Sequence, residues 1–455
     1  MMICNDLHKI IFDFMTFYDK IEYSKINKSN NKRLYIAKLD DTEIKSSICQ
    51  LAINNNPNLT SIKLHNFYHY DSILNLDNLK FLKEIDSKCR NLIFDKCTNL
   101  KKLKFPTSYR QFIASPFVNL TEFSHNGDIV NLKSCINLES LNVTGTKSHM
   151  NDIYFLTNLT KLILDNPADV YCLNILTKLS TLHISNFYSV KTHDINKLTN
   201  LTELQINNCG KINFKLCTNI NFLKCYWSDV DNLNHMTNLT TLDIENCNKV
   251  DDYSVIDLTK LETLILKNSR ITDINQMTML TELHANSHSS IKETGFIDCT
   301  NINFLNIPSS TTIKNINHLT NLTFLNIDDF YNICDTGFIN CTNIRNLRCK
   351  DNKNVTNINH LINLTELNIS GQCNVNDHGI SKCTNLKSLC INGNKNITNI
   401  SHLTNLTYLD DRNYIVSNFT INPSIQQLTS IVKKRNGRWK GNDGRFYKII
   451  PENDN

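Results

Sequence analysis

One phrase, Thr-Asn-Leu-Thr-x-Leu-x-Ile, recurs through most of the chain and constrains its fold more than any other feature. Its first apolar residue marks a phase running from Leu59 through Leu100, Leu201, Leu239, Leu322 and Leu364 to Leu406. That span covers 347 residues in 17 steps, about 20 residues per step. Ile425 and Leu428 continue the phase once more, weakly. Alternation around Leu242-Asp243-Ile244 predicts a short strand with every second side chain buried. A single copy cannot bury its own apolar edge, but stacked copies can. A length of 455 residues is therefore one array and not the roughly three domains it would otherwise suggest.

Each copy shares an internal grammar. Leu239, Leu242 and Ile244 are spaced as L-x-x-L-x-I, then Cys247 fills a turn slot and Val250 follows. Other copies repeat it with Leu201, Leu204, Ile206, Cys209 and with Ile344, Leu347, Cys349, Asn352. This pattern resembles the leucine-rich repeat family, most closely its short, internalin-type class, over residues 59–428 and about 18 copies. The resemblance implies an α/β solenoid, a leucine-rich repeat horseshoe with a long parallel concave sheet. From Leu280 onward the steps alternate between 22 and 20 residues. One type carries Gly-Phe-Ile-x-Cys-Thr-Asn-Ile (295–302, 337–344) and the other His-Leu-x-Asn-Leu (318–322, 360–364, 402–406). The repeating unit is thus a pair.

Residues 1–58 lack this grammar. Leu7, Ile10, Ile11, Phe14 and Met15 fall on one face of an amphipathic helix, with Asn5 and Asp6 as caps, and 21–26 supply a second short helix. The ungapped stretch 3–30 resembles an F-box, with Cys4 standing where that family has proline and Asn30 where it has tryptophan. The simpler alternative is an amphipathic cap over the first open edge of the solenoid. The domain reading is a small F-box-like helical domain at 1–45, a linker or cap at 46–58, the solenoid at 59–428, and a basic-aromatic cap or tail at 429–455. In that tail, Asn442-Asp443-Gly444 is a turn signal between two short runs, which predicts a hairpin. Lys433-Lys434-Arg435 also reads as a nuclear signal, with less weight than a solvated cap.

Composition excludes several classes. Lys and Arg total 48 against 43 Asp and Glu, a dilute +5 that argues against a dedicated nucleic-acid binder. No apolar run approaches the ~18 residues of a membrane span, and the start lacks the pattern of a secretory signal. A cytoplasmic protein is expected, with a nuclear location as the variant. Only 11 glycines, and no Walker, GxGxxG, GxSxG or HExxH motif, leave no catalytic constellation or cofactor to expect. The 17 cysteines include no CxxC pair. Cys97, Cys217, Cys299, Cys341 and Cys383 share one phase, which sets equivalents in neighbouring copies about 5 Å or more apart, too far for one zinc ion. They read as small buried hydrophobes. His235, His318, His360 and His402 share another phase and read as caps of the returning turn. Asn-Leu-Thr matches the N-glycosylation pattern, but it is also what the repeat spells. Heavy use of Asn, Ile and Lys resembles repeat proteins of large DNA viruses or amoeboid protists.

The strand positions facing away from the core are mostly Thr, Asn, Glu, Lys and Asp. Phe222, Tyr226 and Trp227 in one copy, and Phe304 and Phe324 in consecutive copies, depart from that. Arg345, Arg348 and Lys350 follow in the next copy, and Tyr408 comes later. Tyr, Trp and Arg dominate interface energetics, so Phe222, Tyr226, Trp227, Phe304, Phe324 and Arg348 are the expected partner-binding residues. The F-box resemblance implies a non-catalytic substrate receptor of a cullin-type ubiquitin ligase. In that reading Leu7, Ile11, Phe14, Met15 and Ile21 contact the ligase adaptor, and a target protein sits on the concave face. The alternative is a leucine-rich repeat scaffold with no ubiquitin link.

Overall fold

The computed structural model describes residues 38–40, 50, 53–54, 56–64, 73–89, 92–105, 112–114, 116–127, 129–144, 151–165, 173–186, 195–210, 215–285, 289–309, 312–329, 331–411, 427–428, 431–435, 438–441 and 446–448. The chain divides into two compact units, Met1–Ile212 and Asn213–Asn455.

Each unit is a ladder of parallel strands, one per turn of the repeat. In the first unit the Glu122–Asn126, Ser140–Thr144, Lys161–Asp165, Thr181–Ser185 and Glu203–Asn207 strands pair in sequence order. The register is uniform: Phe123, Leu141, Leu162, Leu182 and Leu204 lie side by side. In the second unit the ladder runs from Phe222–Tyr226 to Tyr408–Asp410, with Gln427–Leu428 beyond it. This is the leucine-rich-repeat solenoid fold. The ladder begins before the phase marker does. The Lys38–Asp40 strand pairs in parallel with Ser61–Leu64, so a strand falls inside the stretch read as a helical domain. Residues 1–37, with Leu7, Ile11, Phe14, Met15 and Ile21, lie outside the described residues. In the tail, Arg438–Gly441 pairs antiparallel with Phe446–Lys448 across the Asn-Asp-Gly turn signal, and with Ile431–Arg435 on its other side.

The repeated phrase is explained by bonds between turns. The marker leucine is fully buried in every described copy. The Asn before it reaches back to a main-chain carbonyl of the preceding turn: Asn301 to Thr278 (2.8 Å), Asn343 to Thr320 (2.9 Å), Asn385 to Ile362 (2.8 Å). The Thr after it does the same one step along: Thr323 to Asn303 (3.0 Å), Thr365 to Arg345 (3.0 Å). The glycosylation-like triplet is thus a structural clamp. Returning segments hold little helix, because about 20 residues per turn leave no room for one after the strand. They are single 3₁₀ or α turns, such as Asp252–Val255, Glu293–Phe296 and Asp335–Phe338.

The paired unit also has a physical cause. In the turns that begin with Glu293 and Asp335, the carboxylate accepts main-chain N–H groups of the next turn, at Lys314 (2.7 Å) and Thr356 (2.7 Å). Two residues on, glycine is required by close approach. A Cβ on Gly295 would lie 2.0 Å from the Thr272 carbonyl oxygen, and one on Gly337 2.4 Å from that of Lys314. The following Phe then packs on the histidine of the other type: Phe296 on His318 at 5.1 Å, Phe338 on His360 at 5.3 Å. His402 instead reaches the carbonyl of Ile380 at 3.1 Å. These histidines therefore bind one repeat type to the next. The phased cysteines are buried and several point at backbone carbonyls, Cys299 at Ile274 and Cys341 at Ile316. Burial pushes the Cys299, Cys341 and Cys383 thiols up to about 12, so they stay protonated.

Candidate functional site

The outward face of the second unit carries the departures from the polar consensus. Strand alternation puts residues before and after the buried central Leu on that face. Parallel register then lines up Glu282, Phe304, Phe324 and Asn346 in one row and His284, Asn306, Asn326 and Arg348 in the next.

Phe304 and Phe324 face each other with ring centroids 4.0 Å apart and planes 1° from parallel. The His284 ring lies 5.0 Å from Phe304. The second row is a connected polar chain. Asn326 donates to Asn306 (2.8 Å), and Asn306 donates to Nδ1 of His284 (3.0 Å). His284 then carries its proton on Nε2 and donates to Glu282 at 2.7 Å. At the other end Arg348 donates through Nε and Nη2 to Asp328 at 3.2 and 3.1 Å. Asp328 also accepts the Lys350 N–H at 2.7 Å. The aromatic pair thus stands beside a fixed amide and imidazole row, and the Arg348 charge is already matched.

The other aromatic group is separate. Phe222 lies four strand steps from Phe304 in register, through Thr241, Thr263 and Glu282, or ~19 Å at ~4.8 Å per strand. Tyr226 is braced: its hydroxyl donates to Asp243 at 2.6 Å, Lys224 reaches the same carboxylate at 3.2 Å, and the Lys224 ammonium lies 4.7 Å from the Tyr226 ring centre. Burial, with the neighbouring Asp243 carboxylate, pushes the Tyr226 hydroxyl up. Trp227 follows in a left-handed turn, 63% exposed. The structure therefore unites Phe304 with Phe324, sets Arg348 one strand further on, and holds Phe222, Tyr226 and Trp227 apart. Asp243, Glu282, His284, Asn306, Asn326 and Asp328 escaped the sequence reading. Their signal was there: each shares a register position with a residue it bonds or lies one strand from it.

In the first unit, a shallow polar groove of about 560 Å³ is lined by Lys101, Asn119, Thr121, Asn137, Glu139, Asn158, Thr160 and Lys178. Its amides are committed to carbonyls of preceding turns, and Lys178 bonds Asn158 at 2.7 Å. Among the described residues no three His, Cys, Asp or Glu side chains group as a metal site, and no helix is long and apolar enough to cross a membrane.

No protein-family model and no curated protein matches the chain. Solved structures do. TLR13 in complex with ssRNA13 aligns with a TM-score of 0.55 at 17% identity, covering 81% of this chain and 70% of that one. An internalin, InlF from Listeria monocytogenes, aligns at 21% identity and a TM-score of 0.48, covering 66% of this chain and 89% of its own. The functional domain of InlJ from Listeria monocytogenes, which includes a cysteine ladder, aligns at 18% identity and 0.48, covering 74% and 75%. The TLR13 likeness establishes the fold that the strand ladder displays.

Proposed function

We propose that the chain is a non-catalytic protein-binding scaffold whose outward sheet face holds a partner protein. The observation that carries this reading is the Phe304–Phe324 stack. Two large rings stand half-buried in adjacent strands of a mostly polar face, beside side chains already locked by hydrogen bonds. Aromatic area on a rigid support binds with little ordering cost. Nucleic acid fits less well, since Lys224, Lys267 and Arg348 on this face are each held by a carboxylate. A photo-crosslinking side chain at position 324 is expected to trap a protein partner in cells, while the same group at Asp298 on a returning turn does not. A folded chain that traps nothing at 324 refutes the reading.

The ubiquitin-ligase reading is a second proposal, favoured by the ungapped F-box resemblance of residues 3–30. Its test keeps the whole chain, including the Lys38–Asp40 strand, and compares it with Ile11→Asp, Phe14→Asp for co-purification of the ligase adaptor. Equal recovery, or none, removes the ligase and leaves the scaffold.

A further inference from the structure

Every described turn after a strand of the second unit closes through one left-handed residue in the same slot. Asn246, Asn268, Ser309, Asp329, Asp351, Gly371 and Gly393 occupy it, with φ between 49° and 82°. These are the residue types that tolerate this conformation: glycine has no Cβ, and short polar side chains bond locally. Asn268, for example, donates to the Asn246 side chain at 2.7 Å. At Trp227 the slot holds the bulkiest side chain of all, at φ 51°. Its N–H donates to the Glu245 carbonyl at 2.8 Å, as Asn246 N–H donates to that of Lys267, so the backbone is held there by the fold and not by the indole. Nor does burial offset the strain, because the side chain is 63% exposed. A strained, solvent-facing tryptophan adds nothing to the isolated chain that asparagine would not supply better.

We infer that Trp227 is a binding anchor, kept in a strained turn because a partner polypeptide buries it with an apolar side chain of its own. The inference rests on the scaffold reading and locates a contact that is separate from the Phe304–Phe324 pair. Its neighbours favour an apolar contact. Lys224 is matched by Asp243, Lys249 by Asp229 at 2.8 Å, and Lys267 by Glu245 at 3.1 Å, three cations against three carboxylates. No net charge remains among these pairs to attract a charged group. The adjoining Tyr226 is fixed by Asp243 and Lys224, so the anchor sits beside a surface needing no further ordering.

The test uses the full chain as bait for a random dodecapeptide library displayed on phage, with Trp227→Asn and the Phe304→Ala, Phe324→Ala pair as parallel baits. Selected peptides are expected to carry an apolar residue at a common position and to bind Trp227→Asn about tenfold or more weakly. That loss should persist between about 50 and about 500 mM salt, because no charge pairing is involved. The same substitution should raise the urea midpoint of the free chain. Higher stability with lost binding is the signature of a residue retained for contact, and it separates anchor from core. A lower urea midpoint for Trp227→Asn makes the indole a structural group and overturns the inference. Peptides that survive Trp227→Asn but fail on the phenylalanine pair overturn it while sparing the scaffold reading. An empty selection on the natural chain overturns both.

Discussion

Replacing Gly295 with alanine tests whether close packing between turns, and not backbone freedom, dictates the glycines of the paired repeat. The new Cβ would stand 2.0 Å from the Thr272 carbonyl oxygen, against 3.4 Å or more for ordinary contact, so one turn must move by about 1.4 Å. Two hydrogen bonds join the same turns there, Lys292 N–H to Thr272 (3.1 Å) and Ile274 N–H to Gly295 (2.6 Å). Overpacking costs about 1–3 kcal/mol and each weakened bond about 1 kcal/mol, less about 0.5 kcal/mol from a stiffer unfolded chain. A net loss of about 2.5–4.5 kcal/mol is expected. Gly393 is the control. Its φ is +82° but a Cβ would meet only the Gly371 Cα and N, at 3.5 and 3.6 Å, ordinary contact. Alanine there pays left-handed strain of about 1–2 kcal/mol, partly returned by the same entropy. Urea unfolding followed by circular dichroism compares the midpoints, and hydrogen exchange across 289–299 shows whether the damage is local. If Gly295→Ala costs no more than Gly393→Ala, the steric reasoning is wrong.

Burial holds the His318 and His360 rings below the usual 6.5, so the unfolded chain takes up their protons first as pH falls. Their contribution is therefore complete above about 6.5 and declines as the solution becomes more acid. The His318→Gln, His360→Gln double variant should lose less stability between about pH 7 and pH 5 than the natural chain, measured by urea midpoints at each pH. Asn301→Ala removes the bond to Thr278 at a cost of about 0.5–1.5 kcal/mol. Adding Asn343→Ala two turns away should double that loss, because the clamps are independent, and a sub-additive pair would show the Asn row acting as one unit. Among residues 38–411, Cys334 is exposed, and its hydrogen bond from Thr336 lowers the thiol below its usual value. Iodoacetamide on the native chain should therefore label Cys334 well before Cys299 or Cys341, as read by peptide mass mapping.

What could be read from the sequence was whatever recurs at one fixed step. Period, strand positions, buried leucines and cysteines, and the adjacency of Phe304 and Phe324 all follow from phase alone, since parallel register carries phase into space. The alternating step lengths were legible, but their cause was not. What joins the two turn types, one carbonyl's distance from Gly295 and one ring's contact with His318, has no signature within a single copy. The pairing of Arg348 was hidden for a related reason. Its partner Asp328 sits two positions beyond the matching residue of the preceding copy, a diagonal that row-by-row reading skips. Trp227 shows the limit from the other side. Its aromatic character marked it, but the stronger fact is the backbone slot, and that emerges only when it is set beside Asn246, Asn268 and Gly393 in the same slot of other turns. In a repeat array each position has many internal controls. The residue that breaks its own column at a cost in stability is where selection for something other than folding becomes visible.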